Sequence, residues 1–140
     1  TRLAKAAALP VADGILVDPT LPTSVPAILA PGDVARYPHA GGHVRVEHWV
    51  HAQRQGQRAA DNILGAGRPF DDVPFFWTHQ FGLALRVTGH LSDWDAVAID
   101  GTPDSGDFIA RYSRNGSVVA AASAGRDREN LGVEQSLRAS

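Results

Sequence analysis

The sequence has no cysteine and no methionine among its 140 residues, and only 7% of the residues are aromatic. Without cysteine, the chain cannot build disulfides, thiolate zinc sites, iron–sulfur ligation or a cysteine nucleophile from its own residues. It has no apolar run near the ~18 residues of a membrane span, and its net charge of -2 is not typical of nucleic-acid binding. We therefore expect no membrane partner, no nucleic-acid partner and a cytoplasmic location.

The composition that remains is that of a globular protein. Hydrophobic residues make up 44% and charged residues 20% of the chain, close to the averages for folded domains. Five aspartates between positions 93 and 107 follow one another with no intervening base, which is typical of a solvated rim. The chain begins at Thr1 rather than at an initiator methionine, which indicates a piece of a longer chain.

Sequence patterns in the first half predict alternating helices and short strands. Ala27–Ala30 is a short apolar run between breakers and predicts a central strand buried on both faces. The best helix has apolar and small residues mostly three or four apart, with Gly65 placed as its C-terminal cap. The full set of expectations is a helix over Leu3–Leu9, strands over Gly14–Asp18 and Ala27–Ala30, a loop over 36–43 and a helix over Val46–Leu64.

The second half reads differently, as an antiparallel sheet followed by a terminal helix over about Asp127–Leu137. Asn115-Gly116 lies between two strand runs, a strong signal for a type I′ hairpin. The predicted strand runs are Phe81–His90, Ala96–Asp100, Phe108–Tyr112 and Val118–Ala122. We therefore predict an α+β chain, with an α/β piece over about 1–68 and an antiparallel β piece with a helix over about 72–140.

Asp33 is the first candidate for chemistry. At the carboxyl end of a buried strand, its carboxylate would lie where open α/β sheets bind ligands, and it could accept hydrogen bonds from sugar or ribityl hydroxyls. The alternative is an ordinary turn or N-cap aspartate, which the residue type alone favours.

Two aromatic segments add further candidates. Glu47, His48 and Trp49 lie at the start of the long helix, where free N–H groups suit an anion or an electron-rich carbonyl. The alternative there is an aromatic anchor for the helix. Phe75–Trp77 holds three consecutive aromatics, which cannot all face one core if extended, so at least one faces a second surface or a ligand unless the segment serves only as core.

Two pairs of histidines have a spacing that could bind a metal ion: His39 and His43 are four residues apart, and His48 and His51 are three apart. Nitrogens at helical spacing can share a metal, and Glu47 and Asp33 could complete a site. No cysteine supports such a site, and the first pair flanks glycines in a predicted loop. We therefore predict no metal site.

Three segments, in order, resemble motifs of one flavoprotein family. Residues 23–35, ending in Ala-Pro-Gly-Asp and Val-Ala, resemble the second flavin motif of the pyridine nucleotide–disulfide reductases. Residues 44–56 resemble the flavin-contacting helix of ferredoxin reductases and relatives of apoptosis-inducing factor. Residues 74–80 resemble the Pro-x-Phe-Trp-Ser-x-Gln opening of their C-terminal interface domain. Leu29 departs from the pattern by replacing an aromatic residue.

The resemblance implies an FAD-dependent reductase that takes electrons from NAD(P)H. By position, Asp33 would bind the ribityl chain of FAD, and His48 and Trp49 would lie by the pyrimidine end of the isoalloxazine ring. Glu47 is also expected to be a cofactor-binding residue. Trp77 would pack near the flavin from the C-terminal domain. The resemblance implies no catalytic residue within this chain.

The resemblance also implies a domain division and a limit on activity. Residues 1–13 would be the tail of the nicotinamide domain, 14–68 the C-terminal portion of the FAD domain and 72–140 the interface or dimerisation domain. No Gly-x-Gly-x-x-Gly occurs, so we expect the isolated chain to be inactive and to bind FAD weakly or not at all. Expected partners are a ferredoxin or a Rieske-type protein, with a possible homodimer; the alternative is a small non-enzymatic α+β interaction module.

Overall fold

Two units make up the chain in the computed structural model, which describes residues 1–40 and 42–139. The first unit is Thr1–Asp72 and the second is Val73–Ser140. Each unit has its own β-sheet, of three and five strands respectively. Within the described residues, no helix has the length and apolar character needed to cross a membrane.

The first unit combines short strands with one long helix. Its elements are α1 (Arg2–Ala6), β1 (Ile15–Leu16), β2 (Ala35–His39), β3 (Gly42–Val44) and α2 (Trp49–Ile63). The sheet order is β1-β2-β3, with β1 parallel to β2 and β2 antiparallel to β3. α1 ends earlier than the predicted Leu9, because Ala8 adopts a positive φ that stops the helix.

Tyr37 on β2 lies at the centre of the first unit's core. Its ring packs edge-on against Phe70, with 5.7 Å between ring centroids, and only 3% of the residue is exposed. Burial raises the pKa of Tyr37 above its usual range, so the phenol stays neutral. The buried members of the cluster are Val17, Leu21, Ala30, Ala35, Tyr37, Ala59 and Phe70.

The prediction of a buried central strand over Ala27–Ala30 is wrong. Ile28 is 41% exposed, and its N–H bonds locally to the Val25 carbonyl, 2.8 Å away. Only Leu29 makes a strand-like contact, an isolated bridge to Pro22. Prolines flank the run and have no N–H to give a ladder, so a compact turn forms instead.

The predicted loop over 36–43 is also wrong, because residues 36–39 belong to β2 and residues 42–43 to β3, and the two strands pair antiparallel. Position 41 lies outside the described residues. Pro38 pairs with His43, but β1 reaches only as far as Arg36 along β2. The N–H that Pro38 lacks therefore has no strand to serve on that side. Proline, glycine and histidine in the composition concealed a strand that alternates buried and less buried residues.

The long helix begins at Trp49 rather than at the predicted Val46. His48 is the N-cap, with extended backbone angles of φ -129° and ψ 134°. Val46 packs against the core from outside the helix, so its apolar character extended the helical pattern falsely. At the other end the prediction is confirmed, since Gly65 follows the C-cap Leu64 with φ +94°.

The second unit is a five-stranded antiparallel sheet with a terminal helix, which confirms the predicted α+β class. The sheet order is β4-β5-β8-β7-β6. Its elements are β4 (Phe75–Gln80), β5 (Leu83–Gly89), β6 (Ala96–Thr102), a 3₁₀ turn (Pro103–Ser105), β7 (Asp107–Arg114), β8 (Ser117–Ala124) and α3 (Asp127–Ala139).

The hairpin predicted at Asn115-Gly116 is present. Arg114 pairs with Ser117 across the turn, and both turn residues have positive φ, 49° and 80°. A type I′ turn requires these angles at both central positions. The turn therefore connects β7 and β8 as a tight hairpin.

A buried polar cluster joins α3 to the sheet. Asn130 is 1% exposed; its Oδ1 accepts a hydrogen bond from the Thr88 hydroxyl at 2.8 Å, and its Nδ2 donates to the Ser123 hydroxyl at 3.0 Å. Buried polar groups are costly unless paired. This cluster is paired, so it fixes how α3 lies on β5 and β8.

Candidate functional site

Asp33 lies in the turn Gly32–Val34, directly before β2, and not at the end of a buried strand as predicted. Gly32 adopts φ +84°, an angle that residues with side chains rarely adopt. The turn closes with the Ala35 N–H on the Gly32 carbonyl at 2.8 Å. The turn thus takes the place of the predicted strand end and presents Asp33 at the surface.

The Asp33 carboxylate is exposed. Over the described residues 1–40 and 42–139, no hydrogen bond or ion pair engages it, although one does engage its backbone carbonyl. A turn or N-cap aspartate would instead accept a backbone N–H. The capping alternative therefore has no hydrogen bond behind it here, and the carboxylate is available to a ligand.

Arg45 ties Asp33 to Glu47. Its Nη1 donates to the Asp33 carbonyl at 3.0 Å and also to the Glu47 carboxylate. Its Nη2 lies 3.3 Å from the Asp13 carboxylate. Glu47 is thus placed beside the turn, with its carboxylate occupied by the guanidinium. Our sequence reasoning missed Arg45, and nothing in the local pattern distinguishes it from any other exposed arginine.

His48 lies close enough to Asp33 for their charges to interact. Partial burial lowers the pKa of His48 below its usual range, and the Asp33 carboxylate raises that pKa in part. Burial therefore dominates and keeps the ring neutral at pH 7. This coupling places two of the predicted site residues in one neighbourhood.

Trp49 is the first residue of α2 and is 79% exposed. The N-cap residue His48 makes no side-chain capping bond to this helix end, and no acidic residue lies in the first turn. The first-turn N–H groups and their partial positive charge are thus left to other acceptors. A large exposed indole beside an uncapped helix N-terminus suits a flat, electron-rich ligand better than water.

Trp77 belongs to the second unit, whereas the other four candidates belong to the first. It lies on β4 and is 44% exposed, with its ring centroid 6.0 Å from that of Phe75. Strand alternation puts Phe76 on the opposite face. The prediction that three consecutive aromatics face more than one surface is therefore confirmed.

The histidine pairs that suggested a metal lie in different surroundings. Within residues 1–40 and 42–139, no group of three or more histidine, cysteine, aspartate or glutamate side chains could hold an ion. His51 is 1% exposed and lies inside the core. The structure thus offers no support for a shared site with His48.

Comparisons with known proteins identify the class. The "Pyridine nucleotide-disulphide oxidoreductase" family model matches residues 1–56, and the "Reductase C-terminal" model matches residues 75–139. The chain therefore belongs to the pyridine nucleotide-disulphide oxidoreductase family. The two matches follow each other along the chain in the order that the sequence motifs predicted.

The relatives to which the chain is similar include ferredoxin reductases and an apoptosis-inducing factor. The chain is 35% identical over 131 residues to the anthranilate 1,2-dioxygenase system ferredoxin–NAD(+) reductase component of Burkholderia cepacia, covering 91% of this chain and 32% of that protein. It is 35% identical over 116 residues to mouse (Mus musculus) apoptosis-inducing factor 3, covering 81% of this chain and 19% of that protein. The chain thus spans between about a fifth and a third of the length of these two relatives.

Solved structures of reductases are similar to this chain in fold and in sequence. The ferredoxin reductase for the CYP199A2 system from Rhodopseudomonas palustris superposes with a TM-score of 0.87 at 33% identity, over 93% of this chain and 33% of that one. The putidaredoxin reductase–putidaredoxin complex gives 0.88 at 31% identity, over 97% of this chain and 33% of the matched chain.

Proposed function

We propose that this chain is the C-terminal part of an FAD-dependent NAD(P)H reductase that passes electrons to a ferredoxin. The observation that carries the proposal is the Gly32–Val34 turn, which presents an exposed carboxylate and is held against α2 by the Gly32–Gln55 hydrogen bond at 2.7 Å. The relatives named as ferredoxin reductases support the same activity.

The residues present fit a flavin nucleotide. A carboxylate such as that of Asp33 accepts hydrogen bonds from ribityl hydroxyls, and bonds to a charged group are among the stronger ones. First-turn N–H groups of α2 suit the negative charge that reduced flavin carries near N1 and O2. Trp49 offers a flat apolar surface next to them.

Within this site we assign each side chain a role. Asp33 holds the ribityl chain, while His48 and Trp49 bound the pyrimidine end of the isoalloxazine ring. Glu47 acts through Arg45, because its carboxylate is paired with that guanidinium. For Trp77, on β4 of the second unit, a flavin contact is proposed from the family resemblance alone. FAD, when bound, supplies the redox chemistry between NAD(P)H and a one-electron carrier.

Our domain division follows the same proposal. Residues 1–13 end the nicotinamide domain, 14–68 complete the FAD domain and 72–140 form the interface domain. A ferredoxin is the preferred acceptor, since a matched structure is a reductase in complex with putidaredoxin. A Rieske-type acceptor and a homodimer are further proposals from the family resemblance, and a cytoplasmic location is proposed from the composition.

The direct experiment compares the full-length gene product with the isolated 140 residues. We expect the full-length protein to be purified with a flavin absorption spectrum and to reduce a ferredoxin with NADH or NADPH. We expect the 140 residues to show no reductase activity, and calorimetry to show no micromolar FAD binding. A full-length protein that is colourless and does not bind added FAD would contradict the proposal.

A further inference from the structure

Gln55 is a fully buried polar side chain in the middle of α2, 0% exposed. A buried amide is costly unless both of its ends are hydrogen-bonded. Its Oε1 accepts a hydrogen bond from the Gly32 N–H at 2.7 Å, across 23 residues of sequence. The helix therefore holds the turn that carries Asp33 through one specific bond.

The orientation of this amide follows from its partners. A backbone N–H can only donate, so the oxygen of Gln55 must face Gly32. The Nε2 then faces the other way and lies 3.4 Å from Nε2 of His51. His51 is itself held between the rings of Tyr37 and Phe70, at centroid distances of 5.4 and 4.9 Å. The amide thus links the aromatic core to the surface turn.

The turn is held on both sides of Asp33. Gln55 takes the N–H of Gly32, and Arg45 takes the carbonyl of Asp33 at 3.0 Å. Ala52, one helical turn from Gln55, packs where a Gly32 side chain would start, 3.5 Å from that position. Gln55 thus holds the Pro31–Gly32 peptide, the Ala35 N–H holds the Gly32 carbonyl at 2.8 Å, and Arg45 holds the Asp33 carbonyl. The Asp33 carboxylate therefore has a defined direction while remaining exposed.

We propose that Gln55 is a positioning residue for flavin binding, which fixes the Pro31–Gly32 peptide at the start of the turn so that the Asp33 carboxylate meets the ribityl hydroxyls. This inference rests on the proposed function. Gln55 does not touch the flavin in this proposal; it acts only through the Gly32 N–H. Loss of its acceptor atom should therefore loosen flavin retention beyond any effect on overall stability.

The test uses three variants of the full-length protein. Gln55→Met removes the acceptor while keeping an unbranched side chain of similar length. Gln55→Glu keeps an oxygen acceptor for Gly32. Gln57→Met makes the same chemical change at an exposed position of the same helix. The readouts are the FAD dissociation rate, the thermal midpoint of each apoprotein and the amide exchange rate of Gly32 in the 140-residue chain.

We expect Gln55→Met to release FAD about tenfold faster, the fold-change that corresponds to one lost hydrogen bond. Its Gly32 amide should exchange faster, whereas Gln57→Met should match the parent sequence in all three readouts. Gln55→Glu should retain FAD better than Gln55→Met, because an acceptor for Gly32 remains.

Two outcomes would overturn the inference. The first is a Gln55→Met protein that melts earlier yet releases FAD at the parent rate, which is the result for a merely structural residue. The second is faster release from Gln55→Glu that equals the effect of Gln55→Met, with Gly32 exchange unchanged in both. A parent protein without FAD would instead refute the proposed function, so the two failures are distinguishable.

Discussion

The two units of this chain solve the folding problem in different ways. Strands in Thr1–Asp72 are two, five and three residues long, and β1 pairs with a strand twenty residues further on, Ile15 with Ala35. Strands in Val73–Ser140 are six to eight residues long. Most of them pair with the next strand in sequence, by hairpins.

The candidate site residues are concentrated in the unit whose secondary structure is less regular. Four of the five candidate site residues, Asp33, Glu47, His48 and Trp49, lie in the unit with the irregular backbone. Binding residues concentrate on loops held by a rigid scaffold, and here long-range side-chain bonds supply the rigidity. The Gly32–Gln55 bond is one example, and the Asn62 Nδ2 bond to the Thr20 carbonyl at 2.7 Å is another.

The largest expected effect is on independent folding. We expect residues 73–140 alone to unfold cooperatively on heating, because hairpins and the Asn130 cluster lie within that unit. We expect residues 1–72 alone to show no cooperative transition, since its sheet is built on a two-residue strand. Calorimetry and NMR dispersion of both pieces check this; a cooperative transition in 1–72 would break the comparison.

A pair of glycine substitutions tests the same contrast at single residues. In the second unit, Gly89 has φ +84°, and a Cβ there would collide with the Val119 carbonyl oxygen. Gly89→Ala should therefore destabilise the chain by about 2–4 kcal/mol, combining left-handed strain and overpacking.

The matched change in the first unit is Gly56→Ala. Gly56 lies inside α2, and a Cβ there would meet nothing within 4 Å. Because alanine is the better helix former, this change should stabilise the chain by about 0.5–1 kcal/mol. Denaturant unfolding of both variants measures the change in the free energy of unfolding. Destabilisation by Gly56→Ala would contradict the open space that surrounds Gly56.

The smallest effect concerns pH. Burial lowers the pKa of His48, and the Asp33 carboxylate opposes that shift. The fold thus favours the neutral ring, so this group's contribution to stability is present above its ordinary pKa of about 6.5 and is lost as the pH falls below it. Asp33→Asn should lower the pKa of folded His48 further, so that the loss of stability continues to lower pH.

An NMR titration of the His48 ring in the 140-residue chain measures this shift. Glu47→Gln is the control, since the Glu47 carboxylate is paired with Arg45. We expect that control to leave the His48 titration as it is in the parent. If His48 titrates identically in the parent and in Asp33→Asn, the Asp33 carboxylate does not act on His48. That result would contradict the proposed proximity of these two site residues.

Local patterns predicted more of the second unit than of the first. Even in the second unit they missed β4 (Phe75–Gln80), and the predicted run that began at Phe81 starts in a turn, where Phe81 has φ 51°. The Asn115-Gly116 hairpin and the terminal helix were predictable because turn chemistry and periodicity act between near neighbours. The Ala27–Ala30 run misled, because two prolines and a local turn bond outweighed its apolar character. The β2–β3 hairpin was missed because Tyr37 is buried by distant partners, including Phe70.

The candidate site shows the same limit. Motif resemblance pointed to Asp33, His48 and Trp49 without any contact being known. Arg45 and Gln55 were not singled out, since their roles depend on bonds to Asp33 and Gly32 that span 12 and 23 residues. Only the folded chain brings those partners together.

The most direct measurement is FAD retention by the full-length protein carrying Asp33→Ala, with Asp61→Ala as a control at an exposed position of α2. Hydrogen bonds to a charged group contribute about 1.5–3 kcal/mol, so Asp33→Ala should weaken FAD binding roughly 10- to 150-fold. The thermal midpoint of the apoprotein should not change, because the carboxylate makes no bond within the described residues. An Asp33→Ala protein that keeps stoichiometric FAD through extensive dialysis would contradict the account.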